Sequence, residues 1–168
     1  MKKFFKKKSN IFLLFLIIFV IYRQAPSLVN NFTKEGTQLN SQDYLVIVPG
    51  KVEAKTPFPP KGHAIAIFWA TWCGPCKIEM GRLKDSVTGG KIPGGAIYAI
   101  NPFESNDVIR KFLSQNQYPF TFIEAPLISS QLKVNVTPTT VFLDDGKVLS
   151  MNSGLSIFGI WRAEEFLD

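Results

Sequence analysis

The 168-residue chain contains little cysteine, little histidine and few charged residues. Two cysteines are too few for a disulfide-rich miniprotein, and with a single histidine they cannot supply the four ligands of an ordinary structural zinc site. Charged residues make up 19% of the chain against 46% hydrophobic residues, which excludes intrinsic disorder as its main description. The length suits one domain of ordinary size with a short appendage.

The basic excess of this chain is confined to its N-terminus. The formal net charge is +6, and six of the 19 basic residues lie within residues 1–23, which leaves 13 basic and 13 acidic residues over 24–168. A protein that follows nucleic-acid phosphates needs a clustered basic face. We therefore expect no nucleic-acid partner.

A lysine-rich head precedes an unbroken apolar run from Ile11 to Tyr22, a pattern typical of a secretory signal or a signal anchor. Twelve helical residues rise about 18 Å, less than the roughly 30 Å of a hydrocarbon core, but Phe4, Phe5 and snorkelling lysines could extend the segment. We favour an uncleaved single-pass anchor over residues 1–23. It would contact the inner, cytoplasmic membrane through residues 4–22 and place the C-terminal domain in the periplasm or an equivalent extracytoplasmic space. A cleaved signal is the alternative.

Residues 24–43 are polar and lack apolar periodicity, which predicts a tether. The folded domain is expected over residues 44–168. Its continuous apolar run Ala64 to Ala70 predicts a buried central strand, and Asp145-Gly146 is a strong hairpin signal. The remaining predictions are strands at 44–48, 95–100 and 120–123, hairpin strands at 140–143 and 148–151, helices at 75–88, 106–115, 128–134 and 156–167, and a proline-rich loop at 56–62. This alternation predicts an α/β fold with helices flanking a mixed central sheet.

The most specific motif is Cys73-Gly74-Pro75-Cys76, which follows Trp72 between the buried strand and the next helix. A cysteine at a helix start lies over unpaired N–H groups and the positive end of the helix dipole, which lowers the thiol pKa. Cys73 is therefore the expected nucleophile. Cys76 lies one turn further on the same face and can resolve a mixed disulfide. We expect no metal and no cofactor besides this redox-active disulfide.

The segment Phe68 to Lys77 resembles the active-site segment of the thioredoxin superfamily, and Val136 to Thr140 resembles its cis-proline loop. The separation between them leaves room for one extra strand and helix beyond a minimal thioredoxin. Together with Asn101 to Ser105 and the glutamate three residues after Cys76, this spacing is similar to that of the membrane-anchored TlpA/ResA/DsbE-like thiol:disulfide oxidoreductases. The resemblance covers about residues 44–168.

The resemblance implies several site residues. Thr137 and a cis-bonded Pro138 would bind the client backbone beside Cys73, and Trp72 would lie exposed at the rim of the site. Thioredoxins bury an acidic residue where this chain has Ile67. Glu79 is the substitute we expect to move the proton of Cys76.

The predicted function is that of an envelope-facing thiol:disulfide oxidoreductase that reduces client protein disulfides, with cytochrome c maturation as one setting that the resemblance implies. Because the compartment oxidises thiols, a membrane electron donor must resupply the dithiol. Three alternatives remain open: a disulfide oxidase, a Cu(I) chaperone that uses the same two thiolates as soft ligands, and a noncatalytic adaptor with this fold.

Overall fold

The chain was analysed as a computed structural model that describes residues 2–49 and 54–168. Helices and strands alternate along most of it. Helices are α1 Lys2–Lys34, α2 Gly74–Thr88, α3 Asn106–Gln115, α4 Pro126–Leu132 and α5 Gly159–Leu167, and a short 3-10 helix spans Gly94–Ala96. Strands are β1 Gln42–Val46, β2 Ala54–Phe58, β3 His63–Phe68, β4 Ile97–Ile100, β5 Thr121–Glu124, β6 Thr139–Asp144 and β7 Lys147–Ser153.

The strands of the described residues form one mixed sheet in the order β2-β1-β5-β4-β3-β6-β7. Strands β3, β4 and β5 are parallel, whereas β1 pairs antiparallel with β5 and β6 pairs antiparallel with β3. Two strand–helix units, β4–α3 and β5–α4, lie between α2 and β6, which is where the resemblance implied one unit more than a minimal thioredoxin has. The fold is therefore the thioredoxin-like α/β fold that the sequence predicted.

Strand β3 is buried on both faces, which explains its continuous apolar sequence. Ile65 and Ile67 contribute to a core that includes residues of α2, α3 and α5. Ala64, Ala66 and Phe68 point into a second core that includes residues of α4. All five side chains are at most 1% exposed. Because both faces are covered, no polar alternation is required along this strand.

The predicted hairpin is confirmed between β6 and β7. Asp145 and Gly146 have φ values of 45° and 79°, the left-handed region that tight hairpin turns require. A Cβ on Gly146 would also lie 2.7 Å from the Leu39 carbonyl oxygen. Glycine is therefore required at this position both for conformation and for space.

The loop predicted at residues 56–62 is wrong in its first half, because β2 pairs antiparallel with β1 over Ala54–Phe58. Strand β2 lies at the edge of the sheet. An edge strand tolerates Pro57, since its missing N–H can face away from the neighbouring strand. The proline content that suggested a loop is compatible with this edge position.

The irregular tether predicted at residues 24–43 is also corrected. Helix α1 continues to Lys34, and the chain after it docks on β7, where Gly36 N–H donates to the Val148 carbonyl at 2.7 Å. Leu39 is 2% exposed. Polar sequence did not reveal this docking because it depends on partners more than 100 residues away.

The apolar part of α1 makes little contact with the rest of the chain, since the described side chains from Ile11 to Tyr22 are exposed. Over the residues that the structure describes, no helix is both long enough and apolar enough to cross a membrane. The anchor over residues 1–23 therefore remains a prediction.

Candidate active site

Three loops meet at the end of the sheet where β3 and β4 finish and β6 starts. Phe68, the last residue of β3, pairs with Ile100 at the end of β4 and with Thr139 at the start of β6. The segments that follow β3, follow β4 and precede β6 therefore lie side by side. They contain the two cysteines, the Asn101 to Ser105 segment and Pro138.

The cysteines form a disulfide at the start of α2, with 5.3 Å between their Cα atoms. Cys73 is the N-cap residue, and its sulfur accepts a hydrogen bond from the Cys76 N–H at 3.2 Å. Gly74 begins the helix, and Pro75 occupies its first turn, where an N–H would lack an intrahelical partner. This geometry presents the positive end of α2 to the Cys73 sulfur, as the sequence predicted.

Burial distinguishes the two sulfur positions. Cys73 is 4% exposed, whereas Cys76 is fully buried. Of the two cysteines, only Cys73 therefore keeps any contact with solvent in this oxidised state. Trp72, beside them, is 68% exposed, and its ring centroid lies 6.3 Å from that of Phe103. Its predicted contact with clients stays a prediction.

Pro138 follows a cis peptide bond from Thr137, as the resemblance implied. Thr137 is half-buried and Pro138 is buried. Among the described residues, neither the N–H nor the carbonyl of Thr137 has a backbone hydrogen-bond partner. These groups are therefore available to another peptide segment.

Glu104 is a site residue whose role the sequence did not reveal. Its carboxylate accepts hydrogen bonds from the Thr71 N–H at 2.6 Å, the Thr71 hydroxyl at 2.5 Å and the Asn101 amide at 2.7 Å. Although desolvation opposes its charge, these bonds and nearby Lys77 lower the pKa of the Glu104 carboxyl below its ordinary value. Glu104 thus holds the loop after β4 against the loop that leads to Cys73. The sequence signal that could have identified Glu104 is its position shortly after β4, a buried strand that lies parallel to β3.

Glu79 lies on the buried face of α2 together with Cys76, Met80 and Leu83. It is 5% exposed, and its Oε2 has no hydrogen-bond partner among the described residues. Burial raises the pKa of the Glu79 carboxyl, and the Arg82 guanidinium offsets part of that effect. The other oxygen lies close to the start of α5, because a Cβ on Gly159 would be 2.9 Å from Glu79 Oε1. Proton transfer to or from Cys76 remains a prediction for this residue.

Ile67, which stands where thioredoxins bury an acid, is fully buried in the core beneath the site. Within the described part of the chain, no group of three or more His, Cys, Asp or Glu side chains is arranged to hold a metal ion. The residues at this end of the sheet can therefore carry out thiol–disulfide exchange through Cys73 and Cys76.

Comparison with known proteins gives a family. The family model described as the AhpC/TSA family matches residues 50–151, more than half of the chain. The chain belongs to the AhpC/TSA family. Its members share the thioredoxin-like fold found here, and the matched segment includes the disulfide and the cis-proline loop.

Two curated relatives of this AhpC/TSA-family chain are informative. A thioredoxin-like protein from Haemophilus influenzae is 28% identical over 165 residues, which covers 94% of this chain and 90% of the relative. The thiol-disulfide oxidoreductase ResA from Bacillus thuringiensis is 30% identical over 98 residues, 56% of this chain and 57% of ResA. The first alignment therefore spans nearly all of both chains, and the second spans just over half.

Solved structures agree on the fold of the AhpC/TSA-family chain. StoA from Bacillus subtilis superimposes with a TM-score of 0.61 at 18% identity, over 76% of this chain and 97% of StoA. A Chlorobium tepidum protein assigned as the thiol:disulfide interchange protein DsbE superimposes with a TM-score of 0.62 at 24% identity, over 78% of this chain and 93% of that protein. The chain is thus a thioredoxin-like thiol:disulfide oxidoreductase, similar in sequence to ResA and in fold to StoA and to the Chlorobium tepidum protein.

Proposed function

We propose that this protein reduces disulfide bonds of client proteins with the Cys73–Cys76 dithiol. The observation that supports this function best is the unequal placement of the two sulfurs. Cys73 lies at the N-cap of α2 and is 4% exposed, in the segment after β3 that lies next to the one before β6, whereas Cys76 is fully buried. One sulfur can therefore meet a client, and the other can react only with the first.

The reaction balances within the dithiol. The Cys73 thiolate attacks one sulfur of the client disulfide, and the other client sulfur leaves as a thiolate. Cys76 then loses its proton and attacks the Cys73 sulfur, which releases the first client sulfur as a thiolate. The client gains two electrons and the protein is left with the Cys73–Cys76 disulfide, the oxidised state seen in the structure.

The proton of Cys76 needs an acceptor, because burial raises the pKa of a thiol. Glu79 occupies the same buried face of α2, and its own pKa is raised by burial. A carboxylate with a raised pKa is a stronger base and is better matched to a thiol. Glu79 is the residue we assign to this step.

Client binding is assigned to the edge formed by Thr137, Pro138 and Trp72. An extended client segment can pair with the free N–H and carbonyl of Thr137, as in strand addition. The exposed Trp72 ring offers apolar contact next to Cys73. Apocytochrome c is the client class that the resemblance to the TlpA/ResA/DsbE-like proteins implies.

Trapping tests the client assignment. Replacing Cys76 with serine removes the resolving thiol, so a client should stay bonded to Cys73 and be identifiable after purification without reductant. The matched control, Cys73→Ser with Cys76 intact, should trap nothing, since its remaining sulfur is buried. Equal trapping by both variants would contradict the division of roles.

The reduction potential tests whether the protein reduces or oxidises its clients. The potential of a reductant should lie nearer that of thioredoxin, about −270 mV, than that of the oxidant DsbA, about −120 mV. A measured value close to that of DsbA would make the protein an oxidase. Copper bound tightly and in stoichiometric amounts, after purification under reducing conditions, would instead support the Cu(I) chaperone.

An extracytoplasmic location belongs to the same proposal, with a membrane donor that resupplies electrons. It is supported by the lysine-rich head and by the exposed apolar side chains of α1 between Ile11 and Tyr22. Reporter enzymes fused after Asp168 should be active only outside the cytoplasm. A reporter active in the cytoplasm would contradict the proposed location.

A further inference from the structure

The end of α1 docks beside the cis-proline loop, here residues 133–138, at two places. The Asn30 amide donates to the carbonyls of Leu132 and Lys133, at 3.2 and 3.3 Å, where α4 ends and the loop begins. Asn31, the next residue, contacts Ser153 of β7, which pairs with Thr139 at the start of β6. Helix α1 therefore contacts α4, which precedes the loop, and β7, the partner of the strand that follows the loop.

Asn31 reaches the loop through Ser153 of β7. It is 8% exposed, and its Oδ1 accepts a hydrogen bond from the Ser153 hydroxyl at 3.0 Å. The next residue, Gly154, donates its N–H to the Pro138 carbonyl at 2.7 Å. Ser153 Oγ also lies 3.2 Å from the hydroxyl of Thr139, which donates to the Val136 carbonyl at 2.7 Å. Asn31 is thus linked through Ser153 and Gly154 to the backbone of Pro138.

The hydroxyl protons define what Asn31 does. A hydroxyl group has one proton to donate and two lone pairs that accept. Ser153 donates its proton to Asn31, and Thr139 donates its proton to the nearer Val136 carbonyl. Without Asn31, the half-buried Ser153 hydroxyl would lose this acceptor and could rotate. Asn31 therefore fixes Ser153, which precedes the Gly154 N–H that holds Pro138.

We propose that Asn31 is a positioning residue for client binding. Acting through Ser153 and the Gly154 N–H, it holds the backbone at residues 136–138 in the place where a client segment pairs, so the inference rests on the proposed function. Asn31 touches neither client nor disulfide. The Cys73 loop is held separately, by Glu104, so the loss of Asn31 should weaken client binding and leave the dithiol chemistry intact.

The test compares two disulfides with the same leaving group. One is an extended synthetic peptide whose cysteine is a mixed disulfide with thionitrobenzoate, and the other is the small symmetric disulfide of thionitrobenzoate. In the reduced full-length protein, Cys73 attacks either disulfide and releases thionitrobenzoate, which absorbs visible light. Cys76 then attacks the Cys73 sulfur and releases the peptide, or the second thionitrobenzoate, as a thiol.

Asn31→Ala should raise the half-saturating peptide concentration about threefold to tenfold, as expected for one lost hydrogen bond. Its maximal rate, its rate with the small disulfide and its reduction potential should not change. Ser153→Ala should have the same effects as Asn31→Ala. The double variant should be no worse than the stronger single variant, because both interrupt one series of contacts.

Thr33→Ala is the matched control, since the Thr33 hydroxyl donates within its own helix, to the Asn30 carbonyl at 3.0 Å, and has no other side-chain hydrogen bond among the described residues. It should leave both reactions unchanged. The inference would be overturned if Asn31→Ala lowered the reaction rate equally with both disulfides, or if it left the half-saturating peptide concentration unchanged. If the wild-type dithiol fails to reduce the peptide at all, the proposed function itself fails.

Discussion

Two glutamates of the site, Glu104 and Glu79, have the same side chain but opposite surroundings. Glu104 accepts three hydrogen bonds from Thr71 and Asn101, and its pKa is lowered. Glu79 Oε2 has no partner among the described residues, and burial raises its pKa. The difference teaches that donors, and not burial alone, decide whether a carboxylate near the disulfide is a structural anion or a proton carrier.

The two environments also suit different tasks. A fully hydrogen-bonded anion is stabilised in one protonation state, so it can link two loops across a broad pH range. A buried carboxyl without donors changes protonation state more easily near neutral pH, as general acid–base work requires. Each prediction below removes or alters one side of this contrast.

The largest effect is expected from Glu79→Gln on the resolving step. General acid–base groups typically contribute about 10²- to 10⁴-fold, so attack by Cys76 should slow by at least the lower figure, whereas the first attack by Cys73 should change little. Stopped-flow measurement separates the two steps. The control is the exposed Glu165→Gln. Small, equal effects on both steps would leave Glu79 an ordinary helix residue.

Glu104→Ala should lower stability most. It leaves the Thr71 N–H, the Thr71 hydroxyl and the Asn101 amide without their charged acceptor. Hydrogen bonds to charged groups contribute about 1.5–3 kcal/mol each and are not additive, so we expect the free energy of unfolding to fall by about 2–4 kcal/mol. Urea denaturation at neutral pH measures it. A loss within about 0.5 kcal/mol, the size of an ordinary surface substitution, would show that the link between the loops is not needed.

The pH dependence of the two glutamine variants should have opposite signs. The lowered pKa of Glu104 stabilises the fold above the ordinary glutamate pKa, and this contribution is lost as pH falls through the folded value. The raised pKa of Glu79 means that its contribution becomes unfavourable as pH rises from the ordinary value through the folded one.

Relative to wild type, Glu79→Gln should therefore gain stability as pH rises above the ordinary glutamate pKa of about 4.3, whereas Glu104→Gln should lose stability as pH rises toward that value from below. Denaturation curves at several pH values decide the signs. Slopes of the same sign would mean that the two carboxyls do not differ as described.

The smallest effect is expected from Gly159→Ala, which alters the space around Glu79 without removing it. The new Cβ would lie 2.9 Å from Glu79 Oε1 and from the Ser156 Cβ, so the carboxylate must move. We expect a stability change of about 1 kcal/mol or less, together with a shifted pH profile of the resolving step. Gly95→Ala is the control, since nothing lies within 4 Å of a Cβ there. An identical pH profile would show that Glu79 Oε1 does not need this space.

The sequence predicted elements whose signals are local. Helix α3 begins and ends at the predicted Asn106 and Gln115, and β6 and β7 flank the predicted turn. Cys73 at a helix start and the cis bond at Pro138 were also predicted correctly. Short-range patterns of apolar spacing, caps and turn residues determine such features, so a single sequence suffices to find them.

The predictions that failed, and the roles that the sequence did not reveal, depend on distant partners. Pro57 reads as a loop residue unless β1 lies beside it, and the polar residues 24–34 read as a tether unless Asn30 and Asn31 meet α4 and β7. The role of Glu104 depends on Thr71, 33 residues earlier. None of these pairings leaves a periodic trace in the sequence.

By itself the sequence determined the chemistry of this protein: a buried strand, a Cys-x-x-Cys pair at the helix that follows it, and the proline loop. Only the tertiary structure decided which carboxyl has a lowered pKa, which has a raised pKa and which asparagine reaches β7. The physical reason is that thiol chemistry requires particular residue types in one short segment. Desolvation and hydrogen bonding, in contrast, depend on which distant segments the folded sheet brings together.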